Sequence, residues 1–185
     1  MQNQPSNRNF SGGNRFGDRR PPRPPREKSE FDSKTLDIAR VTRVTKGGKR
    51  FSFRATIAIG DGKGRVGVGI AQGKDVAQSI QKATNQAKKN LMTVPITAAG
   101  TIPHAVYYKY GSARVLIKPA RPGSGVKAGG PVRVVAKLAG IANITAKLLE
   151  RTGNKINIAR ATMGALSRLK AQSEKLKTNE QNANP

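Results

Sequence analysis

The side chains that most often carry out chemistry in proteins are scarce in this chain. The sequence contains one histidine, His104, and no cysteine. A nucleophile–base pair or a zinc site needs several such groups, and without cysteine there is no thiolate, disulfide or iron–sulfur ligand. No acidic residue lies between Asp75 and Glu150, which disfavours paired carboxylates and hard-metal sites there. We therefore expect no catalytic residue, no metal and no cofactor, and we expect His104 to face solvent or RNA.

One glycine motif is compatible with nucleotide binding. Residues 62–67 read G-K-G-R-V-G, which matches the G-x-G-x-x-G pattern. A dinucleotide site needs that pattern after a strand and at the start of a helix, with an acidic residue about 20 positions later. Here the motif leads into a strand-like segment, and position 82 is a lysine. We predict a glycine-rich hairpin at this point rather than the site of a nucleotide-dependent enzyme.

The charge of the chain is the strongest indication of its partner. The 185 residues include 35 Lys and Arg against 10 Asp and Glu, a net charge of +25. Residues 76–149 contain basic residues and no acidic one, so few ion pairs can form within that stretch. A polyanion would neutralise these cations. Aromatic residues are few, and Phe51 and Phe53 have the spacing of core residues, which favours recognition of folded RNA by shape and backbone over base stacking.

Most of the candidate RNA-binding residues lie in or beside glycine-rich turns. Such turns bring backbone N–H groups and cations close to phosphates. For any single lysine, a solvated surface position is the ordinary alternative. The candidates are Arg43, Lys46, Gly47, Gly48, Lys49, Arg50, Lys63, Arg65, Arg121 and Lys127.

Hydrophobic periodicity predicts two modules. Residues 36–44, 51–59 and 65–70 read as strands, and the glycines of the third predict close approach of another backbone. Asp75 is placed to cap a following helix, which gives a β-β-β-α order. From about Leu91, strands are predicted at 92–97, 105–108 and 114–118, then a loop over 119–130 and a helix over 130–140. Residues 144–149 favour a strand over a helix, and Asn154 or Asn157 begins a last helix.

The two ends of the chain differ from the middle. Residues 1–30 contain no Leu, Ile or Val, which is typical of a disordered basic tail, and residues 171–185 form a polar tail. Whether the first tail stays solvated or orders on nucleic acid is left open by composition. No run of 18 apolar residues occurs, so we expect no membrane span.

Four collinear motifs resemble one known family. They are VTKGGKRFSF at residues 44–53, GDGKGRVGVG at 60–69, the Gly-rich loop at 119–130, and GNKINIARAT at 153–162. Together they closely resemble the bacterial small-subunit ribosomal protein five family, and the resemblance covers residues 36–169. It implies an α+β fold. Residues 31–95 would form a double-stranded-RNA-binding-like β-β-β-α domain, and residues 96–170 a β-α-β-α domain with a left-handed βαβ crossover.

The resemblance also implies a function. Members are structural constituents of the small ribosomal subunit in the cytoplasm, and they are not enzymes. They bind small-subunit ribosomal RNA where head meets body, contact ribosomal proteins four and eight, lie near the path by which messenger RNA enters, and influence decoding accuracy. Neither a membrane nor a homo-oligomer is expected. The alternative is a free RNA chaperone or messenger-RNA-binding regulator with the same charge but no docking edges for ribosomal proteins.

Three groups of residues match functional segments of that family. The turn of residues 46–49 matches the loop that reaches head RNA near the spectinomycin site, and Arg50 stands where the best-known members have an apolar residue. Gly111, Ser112 and Arg114 match the edge that meets protein four, in a segment that is one residue longer here. Three residues match the opening of the final helix, where they either bind RNA or brace the fold: Asn154, Asn157 and Arg160.

Overall fold

The computed structural model describes residues 30–169 of the chain, which fold into two β-sheets with three helices. The predicted tails, residues 1–30 and 171–185, lie outside the described residues except for Glu30. The α+β class is confirmed. The domain boundaries after residues 95 and 170 stay predictions.

The first sheet is antiparallel and has four strands in sequential order. Its elements are β1 (Asp32–Thr45), β2 (Gly48–Gly60), β3 (Arg65–Gly73), helix α1 (Val76–Lys89) and β4 (Leu91–Thr93). The three predicted strands and the helix are confirmed. Asp75 occupies the N-cap position of α1 as predicted, but its side chain makes no capping hydrogen bond.

Glycines let α1 lie directly on β3. A Cβ atom at Gly67 would lie 2.5 Å from the carbonyl oxygen of Ala87, and one at Gly69 would lie 2.5 Å from the backbone nitrogen of the same residue. No side chain fits in that space, so the sequence must have glycine where helix and strand backbones meet. The predicted close approach of another backbone is confirmed.

The second half of β2 is buried on both faces, whereas the sequence pattern predicted a half-buried strand. Ala55, Ile57 and Ile59 pack against α1 on one face. On the other face Ala58 belongs to the main core, together with residues of the second sheet. The expected alternation is therefore wrong from Ala55 onward, because another layer covers the face that would otherwise be solvated.

The second sheet is mixed. Its elements are β5 (Val106–Tyr110), β6 (Ala113–Pro119), β7 (Val126–Lys127), helix α2 (Gly130–Leu138) and β8 (Ile144–Leu148), followed by helix α3 (Lys155–Ser167). The strand order is β5-β6-β8-β7, and β7 and β8 are parallel with α2 between them. The chain therefore has a βαβ unit here, and its left-handed crossover stays a prediction.

Two details differ from the sequence-based expectation. The strand predicted at residues 92–97 is only the short β4, and it pairs with β3 of the first sheet, so the second module does not begin at Leu91. Strand β7 lies within the predicted loop at 119–130. Both strands are too short for a hydrophobic pattern to develop, and tertiary pairing alone defines them.

The two sheets share one core. Val66, Val68 and Val94 of the first half pack in the same buried cluster as residues of β6, α2 and α3. The β2–β3 turn also meets the end of α2 through backbone bonds. Gly62 N donates to Leu138 O at 3.0 Å, and Gly64 N donates to Ala139 O at 2.9 Å.

Candidate nucleic-acid interface

The long hairpin of β1 and β2 ends in an exposed basic turn. Thr45 pairs with Gly48 across Lys46 and Gly47, and residues 46–50 are all exposed. Gly48, with φ 125°, has the left-handed conformation, whereas Gly47 does not. The predicted Gly-Gly turn is confirmed, but only Gly48 has a backbone conformation that requires glycine. Thr45 Oγ1 donates to the Gly48 carbonyl at 3.1 Å and holds the turn closed.

The strand register sorts the hairpin side chains onto two faces. Arg43 is paired directly with Arg50, and Ala39 with Arg54. Since side chains alternate along a strand, these three arginines share one face. The residues on the opposite face include Ile38, Arg40, Val44, Lys49 and Phe51.

Phe51 is exposed, contrary to the expectation that it lies in the core. Its relative exposure is 49%, and the Arg40 guanidinium lies 3.8 Å from its ring centroid. The reason is the length of the neighbouring strand: β3 ends at Gly73, which pairs with Phe53. Phe51 lies beyond the covered part of the sheet, while Phe53 is half-buried. The period-two pattern continues past that point, and so it could not predict where burial stops.

The β2–β3 turn carries Lys63 and Arg65 and is organised by Asp61, which the sequence analysis did not single out. Asp61 Oδ1 accepts from the backbone N–H of Lys63 at 2.8 Å and of Arg65 at 2.9 Å. Its Oδ2 pairs with Arg65 Nε at 2.7 Å. The Arg65 side-chain bond, with the backbone bond from Lys63, lowers the pKa of Asp61 from 3.8 to about 2. An Asp before a Gly-rich turn is the usual Asx-turn signal and could have found it.

Arg121 and Lys127 lie around the loop that leads to α2. Both are exposed, and Gly123 and Gly125 between them have positive φ. The Ser124 N–H donates to the Arg121 carbonyl at 3.1 Å, which closes a turn. The structure thus places the predicted RNA-binding residues in three separate segments, as the sequence motifs indicated.

The structure brings together the two remaining groups of predicted residues. Gly111 turns β5 into β6 with φ 54°, and Ser112 follows it. Asn157 Nδ2 donates to Ser112 Oγ at 3.2 Å, and Thr152 Oγ1 lies 3.2 Å from the same oxygen. Asn154 caps α3 by accepting from two backbone N–H groups. The β5–β6 turn and the start of α3 therefore form one polar cluster.

Arg160 and Arg114 also have partners within the fold. Arg160 Nη1 donates to Tyr110 Oη at 2.7 Å. Arg114 Nε lies 2.7 Å from Glu150 Oε1, a close charge pair without the alignment of a hydrogen bond. Sequence reasoning missed Tyr110 and Glu150, because they are far in sequence from the side chains that they contact.

Most of the basic residues in the described part of the chain have no acidic partner there. Within residues 30–169 the ion pairs are Arg65–Asp61, Arg114–Glu150 and Lys155–Asp37. In the acid-free stretch of residues 76–149, Arg114 is the basic residue that has such a pair, and its partner lies just outside the stretch. The other basic residues of this stretch are exposed.

Other chemistry is not assembled in this part of the chain. His104 is half-buried in the segment between β4 and β5. Among residues 30–169 no three His, Cys, Asp or Glu side chains form a group that could hold a metal ion. The helices described there are too short or too polar to cross a membrane. The glycine motif at residues 62–67 joins two strands, as predicted, and does not open a helix.

Two sequence models of known families match the chain. The N-terminal domain of ribosomal protein S5 matches residues 31–95, and the C-terminal domain of the same protein matches residues 108–179. The chain belongs to the ribosomal protein S5 family. The resemblance seen in the four motifs is thereby confirmed. S5 proteins are components of the small ribosomal subunit, bind ribosomal RNA and are structural rather than enzymatic.

Proposed function

We propose that this protein holds the head and body of the small ribosomal subunit in a fixed relation by binding ribosomal RNA at their junction. The observation that carries the proposal is the set of exposed basic residues on one two-sheet unit, most of which have no acidic partner within residues 30–169. Exposed cations on rigid turns bind phosphates with little loss of backbone freedom. We assign this contact to the residues of the three basic segments described above.

The shared core supports a wedge-like role. Strand β2 runs from the exposed turn at Gly48 to Gly60, where the chain meets α2. A force on the hairpin is therefore transmitted along a continuous strand to the second sheet. Two RNA elements that bind opposite ends of such a unit cannot move independently without breaking contacts in the core.

We assign the contact with ribosomal protein four to Gly111, Ser112 and Arg114, as the family resemblance implies. The geometry of this turn depends on α3 because Asn157 donates to Ser112. A contact that breaks and reforms as the subunit closes would influence decoding accuracy, and a change of about 1–2 kcal/mol would alter error rates several-fold. Protein eight and the messenger path are further neighbours in this proposal, with the assembled particle located in the cytoplasm.

We assign a bracing role to Asn154, Asn157 and Arg160. Each of them uses a side-chain polar group within the fold, for a helix cap, a turn and a tyrosine hydroxyl respectively. To bind RNA as well, these side chains would have to form further hydrogen bonds beyond those contacts within the fold.

Sedimentation of cell extracts tests the proposed function. We expect the protein to migrate with small subunits, with RNA footprints at the head–body junction. A large free pool, with no footprint in the particle, would contradict the proposal and favour the free RNA chaperone.

Substitution in the hairpin turn tests its proposed place near the spectinomycin site. Gly48→Ala places a side chain at φ 125°, whereas Gly47→Ala is the matched control, and neither Cβ would meet another atom. We expect Gly48→Ala to distort the turn and change the spectinomycin response, with a smaller effect from the control. Equal drug responses and footprints in both variants and the parent would count against this assignment.

A further inference from the structure

The arginine face of the hairpin consists of Arg43, Arg50 and Arg54. The β1–β2 register places Arg43 and Arg50 directly opposite each other. Directly opposed side chains have Cβ atoms about 5 Å apart, and like charges in that position destabilise a strand pair. Both residues are exposed. The free protein thus keeps an unfavourable pair at the part of the hairpin that no other strand supports.

No acidic group in the described residues relieves this repulsion. The three ion pairs of residues 30–169 do not include any of these arginines. The nearest acidic residue along the same face is Asp37, which pairs with Thr56 in the register and binds Lys155 Nζ at 3.0 Å. Arg54 is half-buried, and its Nε is buried without a hydrogen-bond partner, so this atom itself cannot reach an external anion. The exposed guanidinium groups of Arg43 and Arg50 are therefore complementary to an anion from outside the described residues.

We propose that Arg43 and Arg50 together hold one phosphate of an RNA strand, and that Arg54 contacts the backbone of the same strand further along. Guanidinium groups bind phosphate oxygens through paired N–H donors, so two facing arginines can saturate one phosphate. The four-residue separation of Arg50 and Arg54 spans about 13 Å of strand, enough to follow a nucleic-acid backbone past the first phosphate. The inference rests on the proposed function and adds which face of the hairpin holds this phosphate.

The salt dependence of RNA binding tests the shared phosphate. The full chain is titrated with small-subunit ribosomal RNA at several KCl concentrations, with Arg43→Gln, Arg50→Gln and the double variant. We expect the double variant to bind about tenfold more weakly or worse. The magnitude of its slope of log K against log salt should decrease by about 0.7–0.9, which corresponds to the loss of one phosphate contact. A decrease of about 1.4–1.8 in the magnitude of the slope, the value for two independent phosphates, would overturn the shared site.

Arg40→Gln is the matched control, because it removes the same charge from β1 on the opposite face. We expect it to leave the slope close to that of the parent. An equal effect from Arg40→Gln and Arg43→Gln would overturn the assignment of this phosphate to the face of Arg43 and Arg50. Arg50→Lys keeps the charge but not the paired donors, so it should retain the slope while affinity falls.

The outcomes separate this inference from the proposed function. If the parent protein prefers ribosomal RNA and all the arginine variants bind like the parent, the phosphate site is wrong while the proposed function stands. If the parent shows no preference for ribosomal RNA, the proposed function fails first.

Discussion

Gly140 is the position at which one added methyl group should weaken the junction of the two sheets most directly. It follows α2 with φ 80°, and a Cβ atom there would overlap the carbonyl oxygen of Gly62, with the Gly62 carbonyl carbon at 2.5 Å. Both atoms are backbone, so they can move only if the β2–β3 turn separates from α2. That movement would strain the bonds that Gly62 and Gly64 donate to the end of α2.

The size of the effect follows from two terms. An alanine forced into a left-handed conformation costs about 1–2 kcal/mol. Overpacking adds about 1–3 kcal/mol more, so we expect Gly140→Ala to lower the free energy of unfolding by about 2–5 kcal/mol. Gly123→Ala is the matched control, because Gly123 has φ 82° and a Cβ there would meet nothing within 4 Å. The control should lose only the first term, about 1–2 kcal/mol.

Urea unfolding of the full chain, followed by circular dichroism, measures both variants. The shared core predicts a single cooperative transition in the parent, which permits the comparison. Equal losses in the two variants, within about 0.5 kcal/mol, would refute the argument that the turn is held tightly against α2.

Three further predictions concern stability. Because the pKa of Asp61 is lowered, its contribution to folding stability is complete above pH 3.8 and is lost as pH falls toward 2. Asp61→Asn should therefore reduce the loss of stability between pH 4 and pH 2 in urea unfolding, and an unchanged pH dependence would contradict this. Asn154→Ala removes a helix cap and should cost about 1 kcal/mol in urea unfolding, whereas Asp75→Ala, whose side chain makes no capping bond, should cost less; the reverse order would be inconsistent with the caps seen here. Phe51→Ala should cost about 1 kcal/mol or less, since the ring is exposed and mainly loses its contact with Arg40; a loss of about 3 kcal/mol or more, typical of a buried phenylalanine, would show that the ring is covered.

Local patterns predicted most of the regular elements of the fold. Hydrophobic periodicity predicted β2, β3 and α1, and the glycines of β3 predicted the close approach of another backbone, which is that of α1. These features depend on neighbours in sequence or on the size of one residue. Burial could not be predicted in the same way, because the second sheet covers one face of β2 at Ala58 and β3 stops short of Phe51.

In the candidate site too, local features could be predicted and tertiary contacts could not. The basic residues of the turns could be found from composition and glycine spacing alone. Their pairing could not, because the opposition of Arg43 and Arg50 depends on strand register. Likewise, the contacts of Ser112 with Asn157 and of Tyr110 with Arg160 join residues that lie more than 40 positions apart. A periodic pattern has no information on such separations.

Binding of the purified full chain to small-subunit ribosomal RNA across a range of salt concentrations tests the central claim most directly. If about ten cations meet phosphates, log K should fall against log salt with a slope of about −7 to −9, and ribosomal RNA should compete far better than inorganic polyphosphate of equal charge. A shallow slope of about −2, or equal affinity for polyphosphate, would contradict the claim that ribosomal RNA neutralises these cations.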